Sequence, residues 1–127
     1  MLRLMKERDS IGVVADQMGT PTYVPGLAAA CWALLEKKLT GIFHWTDAGV
    51  ASWYDFAVAI QEEAVAIGLL DNSIPIAPLT TADFPTPATR PSNSVLDKSD
   101  SWKALGFTPP HWRENLRVAL AELKQSK

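Results

Sequence analysis

The sequence predicts an α/β fold, which in isolation is better described as α+β. Short apolar runs bounded by turn residues are typical of strands, and longer stretches place apolar residues at helical spacing. These segments follow one another in the order helix, strand, helix, strand, helix, strand, helix, helix. The 127 residues, of which 47% are hydrophobic and 20% charged, are enough for one buried core. We therefore predict a single domain over residues 1–127.

The first third of the chain contains a predicted helix end, a strand and a second helix. Met1–Arg8 has no N-cap and finishes in charges, which indicates the end of a helix. Ile11–Asp16 is a short, β-branched apolar run that is typical of a buried strand. Gln17–Pro25 carries a glycine and two prolines and predicts a loop. Gly26–Leu39 predicts a helix. The apolar side of this helix is expected to include Leu27, Cys31, Leu34 and Leu35.

The middle of the chain contains the clearest predicted helix. Before it, the alternation in Gly41–Asp47 predicts a strand. Ser52 opens the helix, and Asp55 three residues later completes a pattern that resembles a capping box. One apolar stripe of this helix consists of Phe56, Ile60, Ala64 and Ile67. Ile74–Leu79 predicts a third short strand, and its two prolines place that strand at a sheet edge.

The last part of the chain combines a proline-rich loop with two helices. Thr80–Asp97 contains three prolines and no helical or strand period, which predicts an ordered surface loop. Ser99 is expected to cap a short helix that ends at Gly106. Thr108 is expected to cap the final helix, with Pro109 at its first position. The core face of that helix is expected to include Trp112, Leu116, Ala119 and Leu123.

Composition argues against several classes of protein. The net charge is −2 and no basic stripe is present, so no nucleic-acid partner is expected. No apolar run approaches the ~18 residues that span a bilayer, and the start shows no secretory leader pattern. We therefore expect a cytoplasmic protein that does not bind membranes. Cys31 is the only cysteine, and we expect a buried apolar role for it.

The sequence patterns of a complete catalytic site are absent. The seven glycines form neither G-x-G-x-x-G nor a P-loop. Neither Tyr23 nor Tyr54 is followed four residues later by lysine. His44 is expected to be packed within a strand and His111 to be exposed at a helix start, so no convincing base is available. No catalytic, cofactor-binding or metal-ligating residue is therefore predicted.

Polar residues in two loops are the better candidates for a binding site. Asp16 and Gln17 directly follow the first predicted strand. In open α/β sheets, ligands bind at the carboxyl ends of strands, where these side chains could fix a sugar hydroxyl. Asp16 could instead satisfy its own backbone in an Asx turn. Arg90, in the proline-rich loop, could grip a phosphate or diphosphate, or form a surface salt bridge of little energetic consequence.

Three pieces of the sequence together resemble a known family. They are DQMGTPT at 16–22, GIFHWTDAGVASWYDFA at 41–57 and TTADFPTPATRPSNSVLD at 80–97. Together they resemble the C-terminal part of the dTDP-4-dehydrorhamnose reductases, which are extended short-chain dehydrogenase/reductases. The run Pro-Thr-Pro-Ala-x-Arg-Pro-x-Asn-Ser-x-Leu-Asp is specific to that family. The resemblance covers nearly the whole chain.

The resemblance implies the C-terminal substrate-binding half of such a reductase, with one or two short strands left from the Rossmann sheet. Residues 1–25 would be a remnant of the Rossmann-type half, and residues 26–127 the sugar-nucleotide-binding part. The family reduces dTDP-4-dehydro-L-rhamnose to dTDP-L-rhamnose with NADPH or NADH. Because the glycine motif and the Tyr/Lys pair are missing, we expect no catalysis and no bound cofactor in the isolated chain. The implied substrate-binding residues are Asp16, Gln17, Thr22, Arg90 and Asn93.

Two alternatives remain open on the sequence alone. The chain could be a non-catalytic interaction or regulatory module that pairs with a Rossmann-type chain, or the substrate half of a reductase for another nucleotide-sugar. In either case, strand Ile11–Asp16 would leave an open sheet edge, and open edges pair with other chains. We therefore expect a homodimer or association with a Rossmann-type half. Trp53, beside the capping serine, could be a packing residue or a pocket wall.

Overall fold

The computed structural model of the protein describes residues 1–126. Helices and short strands alternate, which confirms the predicted fold class. The elements are α1 (Leu2–Glu7), β1 (Ile11–Val14), β2 (Met18–Gly19), α2 (Val24–Glu36), β3 (Ala51–Ser52), α3 (Trp53–Ala66), β4 (Ile76–Leu79), the 3₁₀ turn Thr81–Asp83, α4 (Ser99–Leu105) and α5 (Trp112–Gln125). None of the helices within residues 1–126 is long and apolar enough to cross a membrane.

Two small sheets organise the loops. Strands β1 and β4 are parallel, and their register runs from Ile11 opposite Ile76 to Val14 opposite Leu79. Their carboxyl ends therefore lie at the same edge, and the chain leaves that edge twice, at residues 15–22 and 80–97. Strands β2 and β3 form a second, antiparallel pair. The pairing of β1 with β4 joins the first part of the chain to residues 76–79.

Helix α3 provides one side of the core. The hydroxyl of Ser52 accepts a hydrogen bond from the amide of Asp55 at 3.0 Å, and Oδ2 of Asp55 accepts one from the amide of Ser52 at 2.9 Å, which confirms the capping box. The ring of Phe56 meets that of Trp112 on α5 edge to face at 5.9 Å. The core residues of these two helices are Ala57, Ala59, Ile60, Ala64, Trp112, Leu116 and Leu120.

An ion-pair cluster joins α3 to α5 at the surface of this core. Oε1 of Glu63 lies 2.9 Å from Nε of Arg113 and 3.0 Å from Nε of Arg117. The hydrogen bond from Arg117, reinforced by the one from Arg113, lowers the pKa of Glu63. The cluster therefore holds the two helices together while Glu63 is ionised.

The predicted strand over residues 41–47 is wrong. These residues form no named strand, and the only bridge nearby is a single one between Ala48 and His111. Ile42 is 89% exposed, and Gly41 turns the chain with a φ of +129°. Alternation of apolar residues needs a neighbouring strand to become a ladder, and within residues 1–126 no strand pairs with this segment. His44 is consequently exposed, not packed, with Nδ1 at 3.3 Å from the carbonyl oxygen of Asp97.

The predicted apolar face of α2 is wrong except at Leu34, which is half-buried. Leu35 is 68% exposed and Leu27 is 38% exposed, and only Ala30 of this helix is buried. Cys31 is exposed too, contrary to the buried role expected for it. Apolar residues surround the whole helix, so their spacing did not identify the face that packs. The helix also begins earlier than predicted, at Val24, because Pro25 occupies its first turn.

The last helix begins at Trp112, not after Thr108. Its N-cap is His111, whose Nδ1 accepts a hydrogen bond from the backbone amide two residues on at 3.2 Å. The reason lies in tertiary contacts, since the carbonyl oxygen of Pro110 accepts a hydrogen bond from the amide of Ala48 at 3.0 Å. That bond keeps the residues before the helix extended. His111 is exposed at the helix start, as predicted.

Two smaller differences concern the ends and faces of the last two helices. Lys98, not Ser99, is the N-cap of α4, because the hydroxyl and amide of Ser99 both donate to the carboxylate of Asp97. The end of α4 at Gly106, with a φ of +81°, is as predicted. On α5 the core position expected for Leu123 is taken by Leu120.

Candidate functional site

The two loops that leave the sheet edge meet beside the start of α3. The amide of Met18 donates to the carbonyl oxygen of Ser92 at 2.8 Å. The amide of Ser94 donates to the carbonyl oxygen of Met18 at 2.9 Å. Met18 also pairs with Ser52 of β3. Strand β2 therefore lies between the proline-rich loop and the N-terminal end of α3, and it joins three segments that are distant in sequence into one wall.

A cavity of about 210 Å³ lies against this wall. Apolar side chains form most of it, with a few polar groups among them, which is the usual make-up of a small-molecule site. Its lining consists of Gln17, Met18, Gly19, Thr20, Pro21, Ala51, Ser52, Trp53, Phe56, Arg90, Pro91 and Ser94. It lies at the carboxyl ends of parallel strands, where open α/β sheets bind ligands.

Arg90 sets the charge of this cavity. It is the one ionisable side chain in the lining, and none of the ion pairs within residues 1–126 involves it. The surface salt bridge that the sequence left open is therefore not formed in this part of the chain. A guanidinium without a carboxylate partner favours an anionic ligand group and can bind two of its oxygens at once.

Asp16 and Gln17 are held by the start of the proline-rich loop. Oδ2 of Asp16 accepts a hydrogen bond from the amide of Thr81 at 2.9 Å, and Oδ1 accepts one from the Thr81 hydroxyl at 2.7 Å. These two bonds, led by the backbone one, lower the pKa of Asp16. Nε2 of Gln17 donates to the same hydroxyl at 3.1 Å. Asp16 thus binds a residue 65 positions away and is not part of the cavity lining.

Thr22 and Asn93 lie beside the cavity without lining it. The hydroxyl of Thr22 donates to the carbonyl oxygen of Thr20 at 3.2 Å, and its side chain borders a second cavity, of about 370 Å³, between the start of α2 and α5. Oδ1 of Asn93 accepts a hydrogen bond from the amide of Val95 at 3.0 Å. The structure therefore brings two of the five predicted residues, Gln17 and Arg90, to one cavity. Direct substrate contact by any of the five stays a prediction.

Several lining residues were not among the predicted site residues. Phe56 was assigned only to the apolar stripe of α3, yet it reaches the cavity from the first turn of that helix. Trp53, for which two roles were open, lines the cavity and is 53% exposed. Gly19 allows the two loops to approach, since a Cβ atom there would lie 3.0 Å from Oγ of Ser94. Nothing in the sequence indicated that these two aromatic residues lie close to the DQMGTPT segment.

The described residues do not fit a dinucleotide cofactor. Such a site needs a glycine-rich turn that leads from a strand directly into a helix N-terminus. Here β1 ends at Val14 and α2 begins only at Val24, with the single Gly19 between them. Over residues 1–126, no group of three or more His, Cys, Asp or Glu side chains is arranged to hold a metal ion.

Comparison with known proteins gives the same family as the sequence resemblance. A family model described as the RmlD substrate binding domain matches residues 1–125. The chain belongs to this family. A relative named dTDP-4-dehydrorhamnose reductase from Aggregatibacter actinomycetemcomitans is 46% identical over 123 residues, which cover 92% of this chain and 42% of the relative. The predicted family and substrate-binding half are thus confirmed.

Two solved structures share the fold. The crystal structure of a dTDP-4-dehydrorhamnose reductase from Clostridium acetobutylicum superposes with a TM-score of 0.84 at 35% identity, covering 97% of this chain and 42% of that one. The enzyme of the same name from Bacillus anthracis, solved in complex with NADP, gives 0.82 at 33% identity, covering 95% and 41%. The chain therefore spans about two fifths of the length of the relatives that it matches.

Proposed function

We propose that this chain is the substrate-binding part of a dTDP-4-dehydrorhamnose reductase. In that role it holds dTDP-4-dehydro-L-rhamnose while the sugar is reduced to dTDP-L-rhamnose with NADPH or NADH. The observation that carries the proposal is Arg90, the lone charge in a cavity at the carboxyl ends of β1 and β4. Support comes from the relatives of that name and from the NADP complex of one of them. The biosynthetic role of those relatives suits the cytoplasm, which we also propose.

The lining assigns a part of the ligand to each kind of side chain. We propose that the Arg90 guanidinium binds the diphosphate through two parallel hydrogen bonds. Gln17 supplies a polar group for the sugar, and the exposed face of Trp53 with the ring of Phe56 supplies apolar surface. The hydride and proton donors belong to a Rossmann-type half of the kind that the family resemblance implies. This chain would lower the barrier by fixing the sugar in one orientation.

Calorimetric titration of the purified chain tests this proposal. We expect saturable binding of dTDP-L-rhamnose and dTDP, weaker binding of UDP-glucose, and no binding of NADPH. Tighter binding of dTDP than of UDP-glucose distinguishes this substrate from the other nucleotide-sugars that the sequence left open. Binding of UDP-glucose as tight as that of dTDP would contradict the choice of substrate. Absence of binding by every ligand would contradict a cavity that works within this chain.

We also propose that the open edge of β1 pairs with another chain, either a second copy or a Rossmann-type half. The support is that β1 pairs with β4 alone among the described residues, which leaves the backbone groups on its other side without a ladder. Such edges recruit further strands. We expect light scattering at tens of micromolar to give at least a dimer for the chain alone. A monomeric mass under those conditions would contradict self-association.

A further inference from the structure

The proline-rich loop is fastened to residues 16–18 at both of its ends. At the first end, Thr81 donates hydrogen bonds to both carboxylate oxygens of Asp16, and its hydroxyl accepts one from Nε2 of Gln17. At the second end, Met18 exchanges backbone hydrogen bonds with Ser92 and Ser94. The hydroxyl of Thr81 contacts both Asp16 and Gln17, and of these two residues Gln17 lines the cavity whereas Asp16 does not.

The direction of each hydrogen bond at Thr81 follows from the charge of Asp16. Two hydrogen bonds from Thr81 lower the pKa of Asp16, so its carboxylate is ionised at neutral pH and can only accept. The Thr81 hydroxyl has one proton, and it donates this proton to Oδ1 of Asp16 at 2.7 Å. Towards Gln17 the hydroxyl can then only accept, so the amide nitrogen Nε2 must face it, at 3.1 Å.

Fixing the Gln17 nitrogen also fixes its oxygen. With Nε2 turned to Thr81, Oε1 is the other end of the planar amide, and it makes no hydrogen bond to any residue from 1 to 126. An amide that could rotate freely would offer a ligand either a donor or an acceptor. Held in this way, one N–H of Gln17 is bound to Thr81 and Oε1 stays available as an acceptor, to which a hydroxyl group of a ligand can donate.

We infer that Thr81 is a specificity-determining positioning residue, whose hydroxyl turns the Gln17 amide so that its oxygen receives a sugar hydroxyl of the bound ligand. The inference rests on the proposed function for the identity of that ligand. The hydrogen-bond chain that carries it, from Gln17 through Thr81 to Asp16, does not depend on any ligand. Thr81 itself does not line the cavity, so its effect on binding passes through Gln17.

The substitution Thr81→Val tests the inference, with Thr81→Ser as the matched control that keeps the hydroxyl. Valine retains the backbone hydrogen bond to Asp16, so the loop stays attached. We expect Thr81→Val to weaken binding of dTDP-L-rhamnose about 3- to 10-fold, the range for one neutral hydrogen bond. Binding of dTDP, which has no sugar beyond the nucleoside, should not change. Thr81→Ser should bind both ligands as the unsubstituted chain does. Equal weakening of both ligands by Thr81→Val would overturn the inference in favour of loop anchoring.

A second readout needs no ligand and so separates this inference from the proposed function. The side-chain amide protons of Gln17 can be followed by nuclear magnetic resonance, with Gln17→Ala identifying their signals. We expect slow exchange with solvent in the unsubstituted chain and in Thr81→Ser, and fast exchange in Thr81→Val. Exchange that is equally fast in all three would overturn the inference. If protection is seen but no dTDP ligand binds, the proposed function fails while the hydrogen-bond chain stands.

Discussion

Truncation of Leu116 to alanine is expected to lower the free energy of unfolding by about 2–5 kcal/mol. Leu116 is 8% exposed and lies in the core where α5 packs on α3, between Trp112 and Leu120. Removing its side chain loses the transfer free energy of the buried atoms, and the packed neighbours cannot fully close the space that is left. Urea denaturation of the unsubstituted protein and of Leu116→Ala, monitored by circular dichroism, measures the difference in the free energy of unfolding.

Leu123→Ala is the matched control for this prediction. It makes the same chemical change on the same helix, but Leu123 is 41% exposed and is not a member of the core cluster. Its effect should stay below about 1 kcal/mol, as for most surface substitutions. The sequence had placed both leucines on one core face, so the comparison also tests the corrected face. Equal destabilisation by the two substitutions would show that the packing of α5 is not as described.

The features that were predicted from the sequence are those that local contacts determine. The capping box of Ser52 and Asp55 needs only three residues of spacing, and it is present with both hydrogen bonds. The run Ile11–Val14 forms a strand because three of its four residues are β-branched and apolar, and such residues favour a strand over a helix. The end of α4 at Gly106 uses a left-handed conformation that glycine adopts without strain.

The features that were missed depend on partners far away in the sequence. Alternation over residues 41–47 was sufficient for a strand only if another strand lay beside it, and no strand in the described part of the chain does. The apolar residues of α2 predicted a buried face, but Leu35 is 68% exposed and Ala30 is the one buried residue of this helix. The hydrogen bonds between Asp16 and Thr81 join residues 65 positions apart, and no sequence motif predicts them. The cavity itself exists because Met18 pairs with the proline-rich loop, which is again a long-range contact.

Replacing Arg90 with alanine is expected to weaken binding of dTDP-L-rhamnose by about 1.5–3 kcal/mol, the range for a hydrogen bond to a charged group. This corresponds to roughly a 10- to 150-fold higher dissociation constant. The side chain is exposed and forms no ion pair among residues 1–126, so its loss leaves no buried charge behind. We therefore expect the free energy of unfolding to change little. Calorimetric titration and urea denaturation of the same preparation measure both quantities.

Two control substitutions decide what Arg90 contributes. Arg3→Ala removes another exposed arginine, whose partner is Glu7 one turn along α1. Neither of these two residues lines the cavity, so Arg3→Ala should leave binding unchanged. Arg90→Lys keeps the charge but loses the planar fork, so its affinity should fall between those of the unsubstituted chain and Arg90→Ala. Thymidine, which has no phosphate, should bind all of these variants alike if the guanidinium acts on the diphosphate. Loss of stability with unchanged dTDP binding in Arg90→Ala would instead make Arg90 a structural residue of the loop. The site that binds the diphosphate would then have to lie outside this cavity.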